Sequence, residues 1–296
     1  MDTGIWATWY DLAEDDKEGY LNWLHTDYLP EVLARPGYLW AATYEITGGG
    51  SHMKQIGEHL ARAEDESVGT GTNYVTLIGG AHPYVFFSPN VIDIDNPLAT
   101  PHAELADDAV QSMFGKRIGA RTCIFSEEAR VNGPEIGGRA SGTTPGPAIQ
   151  MGSFRAMTTE DEYDLAAWYA QYRLPHMTRM PGCIRTRKLL SVAGWAKHSV
   201  LYEFLSLDAR KEGFEATHER LGLDDKEWTN RIINYTRHAP GSPSVGRRIW
   251  PEVEDWETAS EEKLKIRDKI HNSIKTLTNV LTNTDDAVRI GVKENL

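Results

Sequence analysis

The stretch W-L-H-T-D-Y-L-P-E-V-L-A-R-P-G, residues 23–37, returns without a gap as W-Y-A-Q-Y-R-L-P-H-M-T-R-M-P-G, residues 168–182. At this shift of 145 residues Trp23 falls on Trp168, Leu29 on Leu174, Pro30 on Pro175, Pro36 on Pro181 and Gly37 on Gly182. Proline fixes φ and glycine tolerates positive φ, so shared Pro and Gly positions imply a shared backbone. Upstream, W-A-T-W-Y-D-L (residues 6–12) lies over M-G-S-F-R-A-M (residues 151–157). The chain reads as two copies of one strand, helix and turn.

Working outward, residues 4–12 alternate as a strand does, a helix runs to about Arg35, and Pro36-Gly37 turns the chain into a second strand. Gly and Ser mark residues 46–53 as a loop, followed by a short polar helix through Ala63. Residues 74–88 supply a third strand or a hairpin. Thr100-Pro101 opens a helix ending near Gly115, and R-T-C-I-F-S is the closing strand. The second copy repeats this order with strand 149–157, helix 160–180, strands 183–191 and 198–206, helix 208–220 and a last strand near residues 247–250. The order βαββαβ is the ferredoxin-like split motif. Its sheet leaves one apolar face to be covered, so two copies in one chain pair sheet to sheet.

The expected fold class is therefore α+β, two ferredoxin-like repeats forming an intrachain dimeric α/β barrel. Residues 1–132 make the first repeat, 133–148 a Gly/Pro-rich linker, 149–253 the second repeat and 254–296 a C-terminal helical arm. The arm opens with the capping box Thr258-x-x-Glu261 and carries an apolar stripe of Ile266, Ile270, Ile274, Leu277 and Leu281. That stripe is expected to be buried against the body or to join subunits into a homo-oligomer.

Composition narrows the function. The excess of 43 acidic over 31 basic residues argues against nucleic acid and anionic membrane as partners. No run is long enough to span a membrane, and the N-terminal residues lack a secretory pattern, so a cytoplasmic location is expected. Two cysteines, Cys123 and Cys183, support neither a disulfide framework nor a cysteine zinc site, and no metal is expected. Nucleotide-binding and hydrolase fingerprints are absent, so no nucleotide, flavin or nicotinamide is called for.

On a wheel at about 100° per residue, the apolar arc of each first helix also receives polar groups. These are Tyr28 and Glu31 in the first copy, and Arg173 and His176 at the equivalent positions of the second. A polar group in an apolar layer costs a few kcal/mol, on the order of a lost hydrogen bond or more, unless it is partnered. Four at matched positions point to a polar cavity between helix and sheet. His176 is the candidate general acid or base, Glu31 the complementary proton-transfer group, Tyr28 a hydroxyl donor, and Arg173 the holder of a carboxylate or enolate oxygen. His25 and Asp27 lie at the edges of the arc. Together with Trp9, Trp168, Tyr169 and Tyr172 they are the candidate substrate-binding residues.

The segment W-L-H-T-D-Y-L-P-E-V-L-A-R-P-G-Y resembles the W-x-x-x-H-x-P-x-x-x-x-x-P-G pattern of EthD-like proteins in the dimeric α/β-barrel superfamily, and the second copy matches in the same register. The family histidine is replaced here by Tyr28 and Arg173. The resemblance implies an enzyme acting on a small aromatic or polyketide-like molecule by acid/base chemistry, of lyase, decarboxylase/dehydratase or isomerase/cyclase type, without a redox cofactor. It also keeps open a haem-dependent duplicated barrel, and a non-catalytic ligand-binding or assembly protein is the remaining alternative.

Overall fold

The computed structural model describes residues 2–48, 60–87, 108–216, 227–260 and 273–274. The chain divides into two compact units, Met1–Thr258 and Ala259–Leu296, and all the described strands belong to the first. These strands are β1 (Gly4–Asp11), β2 (Tyr38–Ile46), β3 (Ala61–Arg62), β4 (Tyr74–Gly80), β5 (Ile118–Asn132), β6 (Ala148–Arg155), β7 (Cys183–Ala193), β8 (His198–Phe204), β9 (Arg237–His238) and β10 (Ser244–Trp250). The helices are α1 (Glu14–Trp23), α2 (Leu29–Leu33), α3 (Asp108–Phe114), α4 (Thr159–Trp168), α5 (Leu174–Met177), α6 (Leu207–Ala209) and α7 (Trp228–Tyr235).

Eight strands close into an antiparallel barrel in the cyclic order β1-β5-β7-β8-β6-β10-β2-β4. Strands β2-β4-β1-β5 come from the first half and β7-β8-β6-β10 from the second, in matching order. The halves meet at their edges, β5 on β7 and β2 on β10, rather than as two stacked sheets. Each half alone would leave two rows of backbone N–H and C=O groups unpaired, and edge-to-edge closure satisfies both.

Alternation along the strands divides the apolar residues among three layers. Ile5, Ala7 and Trp9 of β1 face the barrel interior, where they meet Ile149 and Met151 of β6 and Leu201 of β8. On the outer face, Trp6 and Tyr10 pack with Tyr20, Leu24 and Val32 beneath α1 and α2. The second half repeats this, with Ala148 and Phe154 against Leu165, Trp168 and Met177. After each first helix the Pro-Gly turn uses a glycine at positive φ, 91° at Gly37 and 78° at Gly182.

Several elements differ from expectation. Segment 133–147 is tied down, with Gly133 N–H donating to Ile184 O and Glu135 N–H to Cys183 O. The anticipated helix 208–220 is the short α6 followed by a π turn, Arg210–Glu215. Helix α7 and strand β9 have no counterpart in the sequence reading. Thr100-Pro101 and most of the polar helix through Ala63 lie outside the described residues, as do Ile266, Ile270, Leu277 and Leu281 of the terminal stripe. Its described member, Ile274, is 57% exposed rather than buried. Among the described residues no helix is long and apolar enough to cross a membrane.

Candidate functional site

Between α1 and α2, and again between α4 and α5, the backbone widens into a π turn, at Leu24–Tyr28 and at Tyr169–Arg173. Leu29 N–H reaches Leu24 O, and Leu174 N–H reaches Tyr169 O, five residues back in each case. Pro30 and Pro175 come directly after. A proline has no N–H to give and its ring crowds the carbonyl four residues earlier, so a wider turn relieves both problems. Tyr28 and Arg173, the last residues of the two π turns, point inward and are buried. The extra residue in the turn rotates the later side chains of the helix, so the regular wheel fails for Glu31 and His176.

Beneath the second π turn, the outer faces of β6 and β8 and helices α4 and α7 enclose a cavity of about 110 Å³. Its walls are mostly aromatic and aliphatic, including Phe154, Trp168, Tyr169, Tyr202, Phe214 and Ile232. Helix α7 is held over it by Asp164, which accepts from Trp228 Nε1 (2.9 Å) and from the Tyr235 hydroxyl (3.1 Å). Trp168 Nε1 donates to Thr229 Oγ1 at 3.2 Å, which joins α4 to α7 within the wall.

Arg173 is the charge in this apolar space. It is 6% exposed, and its guanidinium lies 4.7 Å from the Trp168 ring centroid, 5.2 Å from Phe214 and 5.9 Å from Tyr202. Its Nε and Nη1 find no acceptor, and no carboxylate forms an ion pair with it, among the described residues. A desolvated cation–π contact returns about 2 kcal/mol, whereas an ion taken out of water without a partner loses several. The aromatic walls therefore offset only part of the cost. Arg210 nearby shows the satisfied state, pairing with Glu215 (2.9 Å) and donating from Nε to Gln150 Oε1 (2.7 Å).

His238 is the titratable base of the cavity. Its Nε2 lies 3.1 Å from Thr236 Oγ1, its Nδ1 3.5 Å from Ser242 Oγ, and its ring packs on Phe154 at 5.4 Å. Burial, and to a smaller degree the Arg62 charge, hold its pKa down at about 3, so the ring is neutral at neutral pH. Tyr169, also in the wall, is kept protonated by burial.

Of the expected site residues the structure brings Arg173, Trp168 and Tyr169 to this cavity. His176 is not in its wall: half-buried, it donates from Nδ1 to the Tyr172 carbonyl (2.8 Å) and packs on the Tyr172 ring (4.3 Å). Tyr172 is itself half-buried outside the wall, against Trp168. Glu31 and Asp27 are exposed, and Asp27 accepts from Thr26 Oγ1. Tyr28 is core, stacked on Trp23 and edge-on to Phe114, both at 5.2 Å. His25 stacks on Trp250 at 5.4 Å, and burial lowers its pKa to about 4. Trp9 faces the barrel interior, where Nε1 donates to Ser244 Oγ.

Sequence reasoning missed Gln150, Phe154, Tyr202, Phe214, Thr229 and His238. Alternation along residues 148–155 could have placed Gln150 and Phe154 together on the helix-facing side. Phe214, Thr229 and His238 arrive from separate later segments, and no spacing in the chain announces them. Among the described residues no group of His, Cys, Asp and Glu is arranged to hold a metal ion.

No family model and no curated protein matches the chain. Among solved structures it is similar to a protein of Lactobacillus acidophilus NCFM provisionally assigned as a monooxygenase, at 10% identity over 84% of this chain and 94% of that one, TM-score 0.44. A provisionally assigned monooxygenase of Fusobacterium nucleatum subsp. nucleatum matches at 9% identity over 84% and 93%, TM-score 0.49. An anthrone oxidase-like protein matches at 9% identity over 84% and 91%, TM-score 0.45. At these identities and scores none of the three lends its chemistry to this chain.

Proposed function

We propose that the chain is an acid/base enzyme of lyase or isomerase type whose substrate is a small carboxylate or enolate bound between β6, β8, α4 and α7. The observation that carries this reading is the buried Arg173 guanidinium, bordering a cavity without an ion-pairing carboxylate among the described residues. Arg173 would hold the anionic oxygens, and His238, whose pKa is about 3 in the empty cavity, would accept a proton from the carbon beside them once the bound anion raises that value. His238 thus takes the role that helical spacing suggests for His176. An apolar cavity of about 150 Å³ accepts a benzene ring, so the smaller 110 Å³ here favours a short acyl chain over a ring. A polyketide-sized molecule is too large, and so is a haem; no step is assigned to haem.

The two halves are best read as ferredoxin-like repeats of an intrachain dimeric α/β barrel, with EthD-like helix and turn motifs. Their support is the strand order common to both halves and the helix, π turn and Pro-Gly turn that recur at one spacing.

The test is hydrogen exchange in D₂O, followed by proton NMR, on a panel of one-ring and short-chain keto acids. Wild-type protein should replace C–H by C–D beside the carbonyl faster than His238→Ala or Arg173→Met. Arg173-dependent binding without exchange would favour a non-catalytic binding protein. The absence of both binding and exchange would remove the proposal.

A further inference from the structure

The barrel interior is finished differently at its two ends. At one end Asp2, Glu127 and Glu203 meet Arg130, Arg185 and Arg187, a charge-balanced network of which Arg185 and Glu203 are a two-pronged pair at 2.9 and 3.0 Å. The apolar interior, with Trp9, Leu77, Phe125 and Met151, lies beyond it. At the other end is a cavity of about 420 Å³ bordered by Trp9 and Arg121 of the first half and by Ser153, Arg155 and Trp195 of the second. This volume lies within the usual range of small-molecule pockets, on the order of 300–1,000 Å³.

The charges here are not balanced by bonds among the described residues. Arg121 is 8% exposed, and its guanidinium lies 4.8 Å from the Trp9 ring centroid. Nη1 donates to the carbonyls of Gly69 (3.2 Å) and Gly71 (2.6 Å), which anchors one corner. Nε and Nη2 have no acceptor among the described residues. In Arg185 those same two nitrogens take the two oxygens of Glu203. Among the described residues Arg155 donates from Nε to Trp195 O, and its guanidinium lies 4.8 Å from the Trp195 ring centroid. Ser153 Oγ, in a residue 2% exposed, also lacks a partner among the described residues. The bordering carboxylate, Asp65, is exposed and accepts from Ser67 N–H and Oγ; the Arg155 charge reaches it, but no ion pair joins the two among the described residues. Asp11, whose charge also reaches Arg121, is engaged by the N–H groups of Thr72 and Asn73. Arg62 adds further positive charge beside Arg121.

We infer that this end of the barrel is a second binding site, separate from the Arg173 cavity, for a small carboxylate with an apolar body. Arg121 and Arg155 meet the carboxylate, Ser153 adds a hydroxyl, and the indoles of Trp9 and Trp195 flank the body. The planar two-oxygen group matches the guanidinium edge that Arg121 leaves unused, as Glu203 does on Arg185. Because residues of both halves form it, occupancy ties β1 and β5 to β6.

The test is calorimetric titration of the full chain carrying Arg173→Met, so that the other cavity is silenced, with benzoate, butanoate, benzamide and inorganic phosphate. Benzoate or butanoate should bind, and a further Arg121→Met or Arg155→Gln should weaken it by about 10-fold or more. Arg155 is half-buried, so its glutamine variant keeps the test decisive if the Arg121 variant fails to fold. No binding of either acid up to about 10 mM, equal affinity for benzamide, a preference for phosphate, or indifference to both substitutions would each overturn the inference.

Discussion

Tyr28 and Arg173 end equivalent π turns and both point inward, yet Tyr28 is stacked into a filled aromatic layer while Arg173 borders a cavity. One backbone device thus serves two ends. In the first half it completes a core, and in the second it sets a buried cation at the edge of a cavity.

If Arg173 is kept for a ligand rather than for the fold, removing its charge relieves strain. Arg173→Met, similar in reach and apolar, should leave the stability of the ligand-free protein unchanged or raise it by on the order of 1 kcal/mol, seen as a melting temperature that does not fall. Protection by small carboxylates should vanish. A marked fall in melting temperature by scanning fluorimetry would instead make Arg173 structural.

The balanced ion network at the closed end behaves oppositely. Asp2 accepts from Arg187 Nη1 (2.7 Å), Arg130 Nη2 (2.8 Å) and Trp40 Nε1 (2.8 Å). Asp2→Ala takes the short ion pair from the buried Arg187 guanidinium, while half-buried Arg130 keeps Glu127, and should cost about 3–5 kcal/mol in urea unfolding. A loss below about 1 kcal/mol would show the network to be dispensable.

Helix α7 depends on Asp164, which accepts from both Trp228 and Tyr235. Asp164→Ala should destabilise the protein by about 1–3 kcal/mol. Hydrogen exchange followed by mass spectrometry should show faster exchange in α7 than in β6 or β8. Uniform acceleration would mean that α7 is not a separable cover.

Acid stability depends on histidines held below the ordinary value of 6.5, His238 at about 3, His25 at about 4, and His198, lowered by burial and the Lys188 charge. Between the ordinary and the folded values the unfolded chain binds protons that the folded chain refuses. Stability should therefore be flat above about pH 6.5 and fall as pH drops towards 4 and 3. Burial alone would raise the pKa of Asp2, but the Arg187 and Arg130 guanidinium groups hold it well below the usual carboxylate range, which adds a loss at still lower pH. A urea midpoint constant from pH 7 to pH 4 would contradict this.

The recurrence of Leu-Pro and Pro-Gly in the sequence made the paired helix and turn legible, because proline and glycine constrain the backbone directly. Arg173 was legible from the helical wheel, which put it on the apolar arc, and it is buried. His176 and Glu31 were misplaced because a π turn changes the phase of every later side chain, and a wheel assumes constant phase. His238 had no such signal. It reaches the cavity through β9 pairing with β6, a long-range contact that local spacing does not encode.

The most direct test of the central claim is a crystal structure of the protein soaked with butanoate. The account predicts a carboxylate within about 3 Å of the Arg173 guanidinium, its short chain among Trp168, Tyr202 and Phe214. An Arg173 paired with one of the chain's own carboxylates, with butanoate absent from the cavity, would contradict it.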